Sequence, residues 1–181
     1  MAAAAVTTTA LAASLVIAAP AQADTYQIGV QVKNQHTGKC LDSNNHGDVY
    51  VINCNGGAFQ KWNVTSWASD VDHYYSRVQL KDVATNRCLY LNYNSNGFST
   101  HTASCAMEKL GDEWNLTWVG NSNPNPNSFQ FAARTDSSGN PAYGPYRCLD
   151  AGQSNVVYPL PKSTVTCDNH QNNWQIWSML K

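Results

Sequence analysis

Charge is scarce in this chain. Only 13% of its 181 residues are Asp, Glu, Lys or Arg, and the formal net charge is −1. A nearly neutral surface exerts no long-range pull on polyanions, which excludes nucleic acid and acidic lipid as charge-held partners. Helical periodicity is missing as well: nowhere do apolar residues recur at helical spacing over three turns. Catalytic signatures are equally absent. There is no Gly-x-Ser-x-Gly and no His-Glu-x-x-His. His36, His46, His73, His101 and His170 are scattered, and none sits near a matching nucleophile in sequence. Asp70 with Asp72, and Asp112 with Glu113, are pairs by proximity only. A glycosidase needs two carboxylates facing one bond, whereas adjacent strand residues face opposite ways. No enzymatic activity and no cofactor are expected.

Metal ligation is excluded on similar grounds. The chain has no Cys-x-x-Cys pair and no Cys/His cluster at zinc-ligand spacing. Asp42 to Gly47 begins like a calcium loop, but Asn53 stands where a bidentate Glu is required. Long apolar runs are also lacking. Residues 1–23 carry no charged side chain, pass through an apolar stretch from Leu11 to Ala19, and end at Pro20-Ala21-Gln22-Ala23. The Thr-rich Val6–Leu11 segment leading into it is too polar to complete a membrane span. Small residues at Ala21 and Ala23 match a secretory cleavage site, so residues 1–23 are read as a signal peptide, without the usual basic first segment. A secreted, extracellular product without membrane insertion is expected, with residues 24–181 as a single domain.

What the chain does have is a pattern repeated three times. The first copy reads Lys39-Cys40-Leu41, then Cys54, then Gln60-Lys61-Trp62. The second reads Arg87-Cys88-Leu89, then Cys105, then Glu113-Trp114. The third reads Arg147-Cys148-Leu149, then Cys167, then Asn172-Asn173-Trp174. Ahead of each first cysteine stands an apolar–Gln–apolar triplet: Val30-Gln31-Val32, Val78-Gln79-Leu80 and Phe129-Gln130-Phe131. Period-two alternation of this kind marks a half-buried strand. Turn residues follow each triplet and fill the stretches between the cysteines, and Val49-Tyr50-Val51-Ile52 reads as a strand. Each repeat (approximately 26–68, 74–120 and 127–181) thus predicts four short strands. A unit of this size cannot bury its apolar face alone, so the three must pack around a common axis. Trp62, Trp114 and Trp174 are taken as equivalent core residues. Asn63-Val64-Thr65 and Asn115-Leu116-Thr117 match glycosylation sequons but fall in predicted strands.

Six cysteines in an exported chain are expected as disulfides, though spacing alone leaves many pairings open. If the repeats are equivalent, each pairs its own two: Cys40–Cys54, Cys88–Cys105 and Cys148–Cys167.

These residues resemble the ricin B-type lectins, a β-trefoil family whose three repeats each carry a Cys pair and a Gln-x-Trp motif. The likeness spans about residues 26–181 and rests on Cys40-Leu41-Asp42, Cys54 and Gln60-Lys61-Trp62, and on Cys148-Leu149-Asp150, Cys167 and Asn172-Asn173-Trp174. It implies an all-β trefoil with one disulfide inside each repeat. It also implies carbohydrate binding by three kinds of residue. A carboxylate two places after the first Cys accepts hydrogen bonds from sugar hydroxyls. An aromatic ring two places before the second Cys offers a platform to the C–H face of the sugar. Amides at the Gln of Gln-x-Trp and just before it complete the set.

In this chain no repeat has all three. The first has Asp42 and Gln60, with Phe59 in the second amide place and Ile52 at the platform. The third has Asp150, Gln171 and Asn172, with Val165 at the platform. In the second, Tyr90 replaces the carboxylate, Ala103 sits at the platform, and Asp112-Glu113 replace the amides. Tyr50, Tyr93 and Tyr158 lie near enough to serve as displaced platforms. The resulting expectation is a secreted, non-catalytic carbohydrate-binding module whose partner is a glycan or polysaccharide. Asp150, Gln171, Asn172 and Tyr158 form its main site, and Asp42 with Gln60 a second. The alternative is an adaptor or subunit that presents its loops to a separate secreted protein.

Overall fold

The computed structural model describes residues 24–66, 75–94, 97–105, 113–119, 128–133, 147–152, 158–159 and 173–181. Among these residues twelve strands follow one another, four per repeat, as the alternation predicts. The first repeat contributes β1 (Asp24–Asn34), β2 (Cys40–Ser43), β3 (Val49–Ile52) and β4 (Lys61–Ser66). The second contributes β5 (Tyr75–Asp82), β6 (Arg87–Asn94), β7 (Gly97–Ser104) and β8 (Trp114–Trp118). The third contributes β9 (Ser128–Ala133), β10 (Arg147–Asp150), β11 (Tyr158–Pro159) and β12 (Trp177–Leu180). Single 3-10 turns at Ala58–Gln60 and Asn173–Gln175 lead into β4 and β12. Among the described residues there is no α-helix, and no helix long and apolar enough to cross a membrane.

The first and last strands of the repeats close a ring. β1 pairs with β4, β4 with β5, β5 with β8, β8 with β9, β9 with β12, and β12 returns to β1, every pair antiparallel. A closed ring leaves no unpaired edge. The middle strands stand off it as hairpins, β2–β3, β6–β7 and β10–β11, each held to the first strand of its own repeat. This is the β-trefoil the repeats call for. Alternation explains the packing: Val30 and Val32 are fully buried, as are Leu80 and Phe131, while the intervening glutamines point the other way.

Three tryptophans fill the core at equivalent places, but the third is not Trp174. Trp62 stands opposite Val30, Trp114 opposite Val78, and Trp177 opposite Phe129. All three are fully buried. Each indole N–H donates to the carbonyl of the leucine after the first cysteine of its repeat: Leu41 at 3.2 Å, Leu89 at 3.1 Å and Leu149 at 2.9 Å. The third motif is therefore Gln175-Ile176-Trp177. Trp174 lies in the 3-10 turn before β12 and is only half-buried. The expectation for Trp174 is corrected because strand pairing, and not being the first tryptophan after the second cysteine, decides which ring enters the core.

Two disulfides, Cys40–Cys54 and Cys88–Cys105, join cysteines of one repeat as expected. Cys148 is also disulfide-bonded; its expected partner Cys167 lies outside the described residues. So do residues 1–23. Asn63 acts as a strand residue, its side-chain oxygen accepting the Gly29 N–H at 2.9 Å where β1 bulges.

Candidate functional site

The carboxylate position follows directly from the hairpin. In each repeat the residue two places after the first cysteine ends up directly across from a ring-bearing residue. Asp42 faces Tyr50, Tyr90 faces His101, and Asp150 faces Tyr158. Counting back from the second cysteine selected Ile52 and Ala103 instead. Those residues face Cys40 and Cys88. The cross-strand register therefore promotes Tyr50, which sequence spacing had left as a displaced alternative.

In the first repeat the Tyr50 hydroxyl lies within hydrogen-bonding reach of both the Ser43 carbonyl, at 3.2 Å, and the Asp42 carboxylate. Burial, then Asp42 and Asp48, push this phenol above its ordinary 10.0, so it stays a donor. Asp42 is buried and meets this hydroxyl without any ligand. Gln60 has a different task. Its side-chain oxygen accepts from the Asn55 N–H at 2.8 Å and the Gln31 amide at 3.1 Å, and its Nε2 donates to the Asn53 carbonyl at 3.1 Å. It is fully buried, and these bonds tie β1 to the loop that carries Cys54. Gln60 is thus placed as a scaffold residue.

The second repeat lacks a carboxylate at this position. Tyr90 and His101 meet with ring centroids 5.2 Å apart and planes tilted by 55°. Burial, then the Arg87 charge, lower the His101 pKa from 6.5, which favours the neutral ring.

The third repeat brings together more groups than its sequence promised. Asp150 ends β10 and is 6% exposed, with its Oδ1 accepting the Gly152 N–H at 2.8 Å. Burial raises its carboxyl above the ordinary 3.8. The Gly152 N–H, the Gln175 side chain and His36 pull the other way without cancelling the effect. Gln175 is held by Gln130, whose amide donates to it at 3.1 Å, as Gln31 holds Gln60. The expected amides Gln171 and Asn172 lie outside the described residues. By strand register, the places assigned to them belong to Trp174 and Gln175. Tyr158 is placed opposite Asp150 by its backbone.

Beside Asp150 stands an aromatic stack that no sequence spacing announced. His36 of the first repeat lies on Trp174 of the third, centroids 3.8 Å apart and planes within 26°. His36 is exposed and Trp174 half-buried. The readable signal was the Gln-x-Trp at Gln175, which would have placed Trp174 next to the site. Nothing in the sequence placed His36 there, because the contact joins opposite ends of the chain. Chemically, the cluster offers a charged acceptor, an amide and a flat ring surface, enough to hold a polyhydroxylated molecule. No group of three His, Cys, Asp or Glu among the described residues could hold a metal ion.

Solved structures confirm the architecture. The designed threefold-symmetric protein ThreeFoil is similar at 20% identity and a TM-score of 0.58, over 84% of this chain and 97% of that one. The BEL β-trefoil, in an apo crystal form, is similar at 13% identity and a TM-score of 0.59, over 88% of this chain and 96% of that one. At these identities the likeness concerns the β-trefoil fold alone. In sequence, the model of the cytolethal distending toxin A/C domain matches residues 18–128, more than half of the chain. The protein, a disulfide-bonded β-trefoil, belongs to the cytolethal distending toxin A/C domain family.

Proposed function

We propose that the protein is a secreted, non-catalytic carbohydrate-binding module whose main site is in the third repeat. The observation that carries this reading is Asp150: a nearly buried carboxylate, braced by Gly152 and Gln175, beside the His36–Trp174 stack. Asp150 accepts sugar hydroxyls, Gln175 holds the carboxylate in place, and the aromatic edge, with Tyr158, receives a C–H face. Asp42 with Tyr50 forms a weaker second site, since a sugar there must displace the Tyr50 hydroxyl. Two shallow sites on one rigid body strengthen binding to a repetitive glycan.

The test is a glycan and polysaccharide binding screen with oxidised protein beginning at Asp24, alongside Asp150→Ala and Asp42→Ala. Binding competed by free sugar and abolished by Asp150→Ala supports the reading. Loss only in Asp42→Ala moves the main site to the first repeat. Absence of glycan binding by folded protein overturns it.

The family match favours a second reading, in which the trefoil serves as a subunit of a secreted, toxin-type assembly. Copurification of a secreted protein that is insensitive to sugar would support it.

A further inference from the structure

The three repeats act as internal controls for one another. The turn after β1 is built on Asn34. Its Oδ1 accepts the N–H groups of His36 at 3.1 Å and Thr37 at 3.0 Å, and Gly38 N–H returns to the Asn34 carbonyl at 3.0 Å. The turn after β5 repeats this plan on Asp82, which accepts from Thr85 at 2.7 Å while Asn86 N–H returns to its carbonyl at 3.0 Å. Both turns are fastened to the preceding repeat in space. Gln35 N–H bonds the Ile176 carbonyl, and Val83 N–H bonds the Lys61 carbonyl, each at 2.9 Å. By this correspondence His36 matches Ala84, and Trp174 matches Phe59.

Ala84 shows that the turn needs no ring at this position. The imidazole of His36 is therefore surplus to the fold, and yet it is held firmly. Asn34 Nδ2 donates to the Trp174 carbonyl at 2.7 Å and to that of Ile176 at 3.3 Å, so one side chain fixes both the turn bearing His36 and the backbone bearing Trp174. A preorganised, exposed ring loses little freedom when a ligand settles on it. Because one face of the imidazole covers the indole, its other face is the aromatic surface turned outward.

Resting on the carbohydrate reading above, we infer that His36 is a specificity-determining residue contributed by the first repeat to the third repeat's site. Asp150 grips one sugar ring, and the outer face of His36 stacks against the next, so the site takes a glycan of at least two residues. The first repeat has no counterpart, since Ala84 stands in that place.

The experiment measures binding of four monosaccharides (galactose, glucose, mannose and N-acetylglucosamine) and their β-1,4-linked disaccharides (lactose, cellobiose, mannobiose and chitobiose). Wild type, His36→Ala, His36→Phe and Asp150→Ala are compared. The wild type is expected to favour a disaccharide over its own monosaccharide by about fivefold, the scale of one ring contact. His36→Ala should weaken disaccharide binding more than monosaccharide binding and so erase that preference, and His36→Phe should retain it. A wild type that binds both equally, a His36→Ala variant that keeps the preference, or a His36→Phe variant that loses it, each overturns the inference. If neither this set nor the glycan and polysaccharide screen yields a ligand, the carbohydrate reading falls, and this inference with it.

Discussion

Trp177 donates its indole N–H to the Leu149 carbonyl at 2.9 Å, and this bond identifies the third core tryptophan. Both partners are fully buried. Trp177→Phe leaves that carbonyl without its partner and is expected to cost about 1–3 kcal/mol. Trp177→Ala adds a cavity and should cost about 3–5 kcal/mol. Trp174→Ala, at a half-buried ring packed against the edge of the core, should cost about 1–2 kcal/mol, less than Trp177→Ala. Urea unfolding followed by circular dichroism separates the three, and equal losses at positions 174 and 177 would contradict the assignment.

The sequence made the trefoil legible because three signals coincided in every repeat: the alternating triplet, the cysteine pair and the tryptophan. Twelve strands and two disulfides came out as expected from them. The site was less legible, for a definite reason. Distances counted from the second cysteine carry no information about strand register, and register is what set Tyr50 against Asp42. Matching Asn172-Asn173-Trp174 to the Gln-x-Trp motif gave Trp174 the place of Trp177. His36 was hidden for another reason: its contact with Trp174 depends on ring closure by β1 and β12, which no local pattern encodes.

The two described disulfides tie short loops within the first and second repeats. Cys40 and Cys54 are separated by 14 residues, and Cys88 and Cys105 by 17. Loop closure of this length restricts the unfolded chain by about 3 kcal/mol for each bond. Replacing both Cys40 and Cys54 with Ala should therefore destabilise by about 2–4 kcal/mol, and the Cys88/Cys105 pair by a similar amount. Chemical denaturation of each double variant checks this. A loss confined to one repeat would show that the repeats are not energetically equivalent.

Gly47 packs the first repeat against the second. Its carbonyl accepts the Thr102 N–H at 2.8 Å, and Arg87 reaches the Asn45 and Thr102 carbonyls. At φ +96°, a Cβ on Gly47 would lie 2.9 Å from both the Arg87 guanidinium and the Thr102 carbonyl oxygen. Arg87 can swing away, but Thr102 is buried main chain in β7. Gly47→Ala should cost about 1–3 kcal/mol, combining backbone strain with the clash. Gly38 is the control, with φ +68° and nothing near its missing Cβ. Asn86 occupies the equivalent turn position at φ 57°, so Gly38→Asn should be tolerated within about 0.5 kcal/mol. Thermal unfolding of the two variants side by side is the measurement.

Asp150 ties stability and binding to pH with opposite signs. Burial raises its carboxyl above the ordinary 3.8, so the folded state holds the proton more tightly than the unfolded chain does. The stability linked to that proton is fully present below 3.8 and is lost as pH rises through the elevated value. Asp150→Asn does not titrate. Relative to wild type, this variant should become progressively more favourable between acid and neutral pH, whatever its absolute stability. Sugar binding runs the other way, because the ionised carboxylate is the acceptor. On acidification, binding should fall with a midpoint above 3.8, while the fold persists. Parallel titrations of unfolding free energy and of glycan binding measure both. A binding midpoint at or below the ordinary carboxylate value would mean that Asp150 does not hold the ligand.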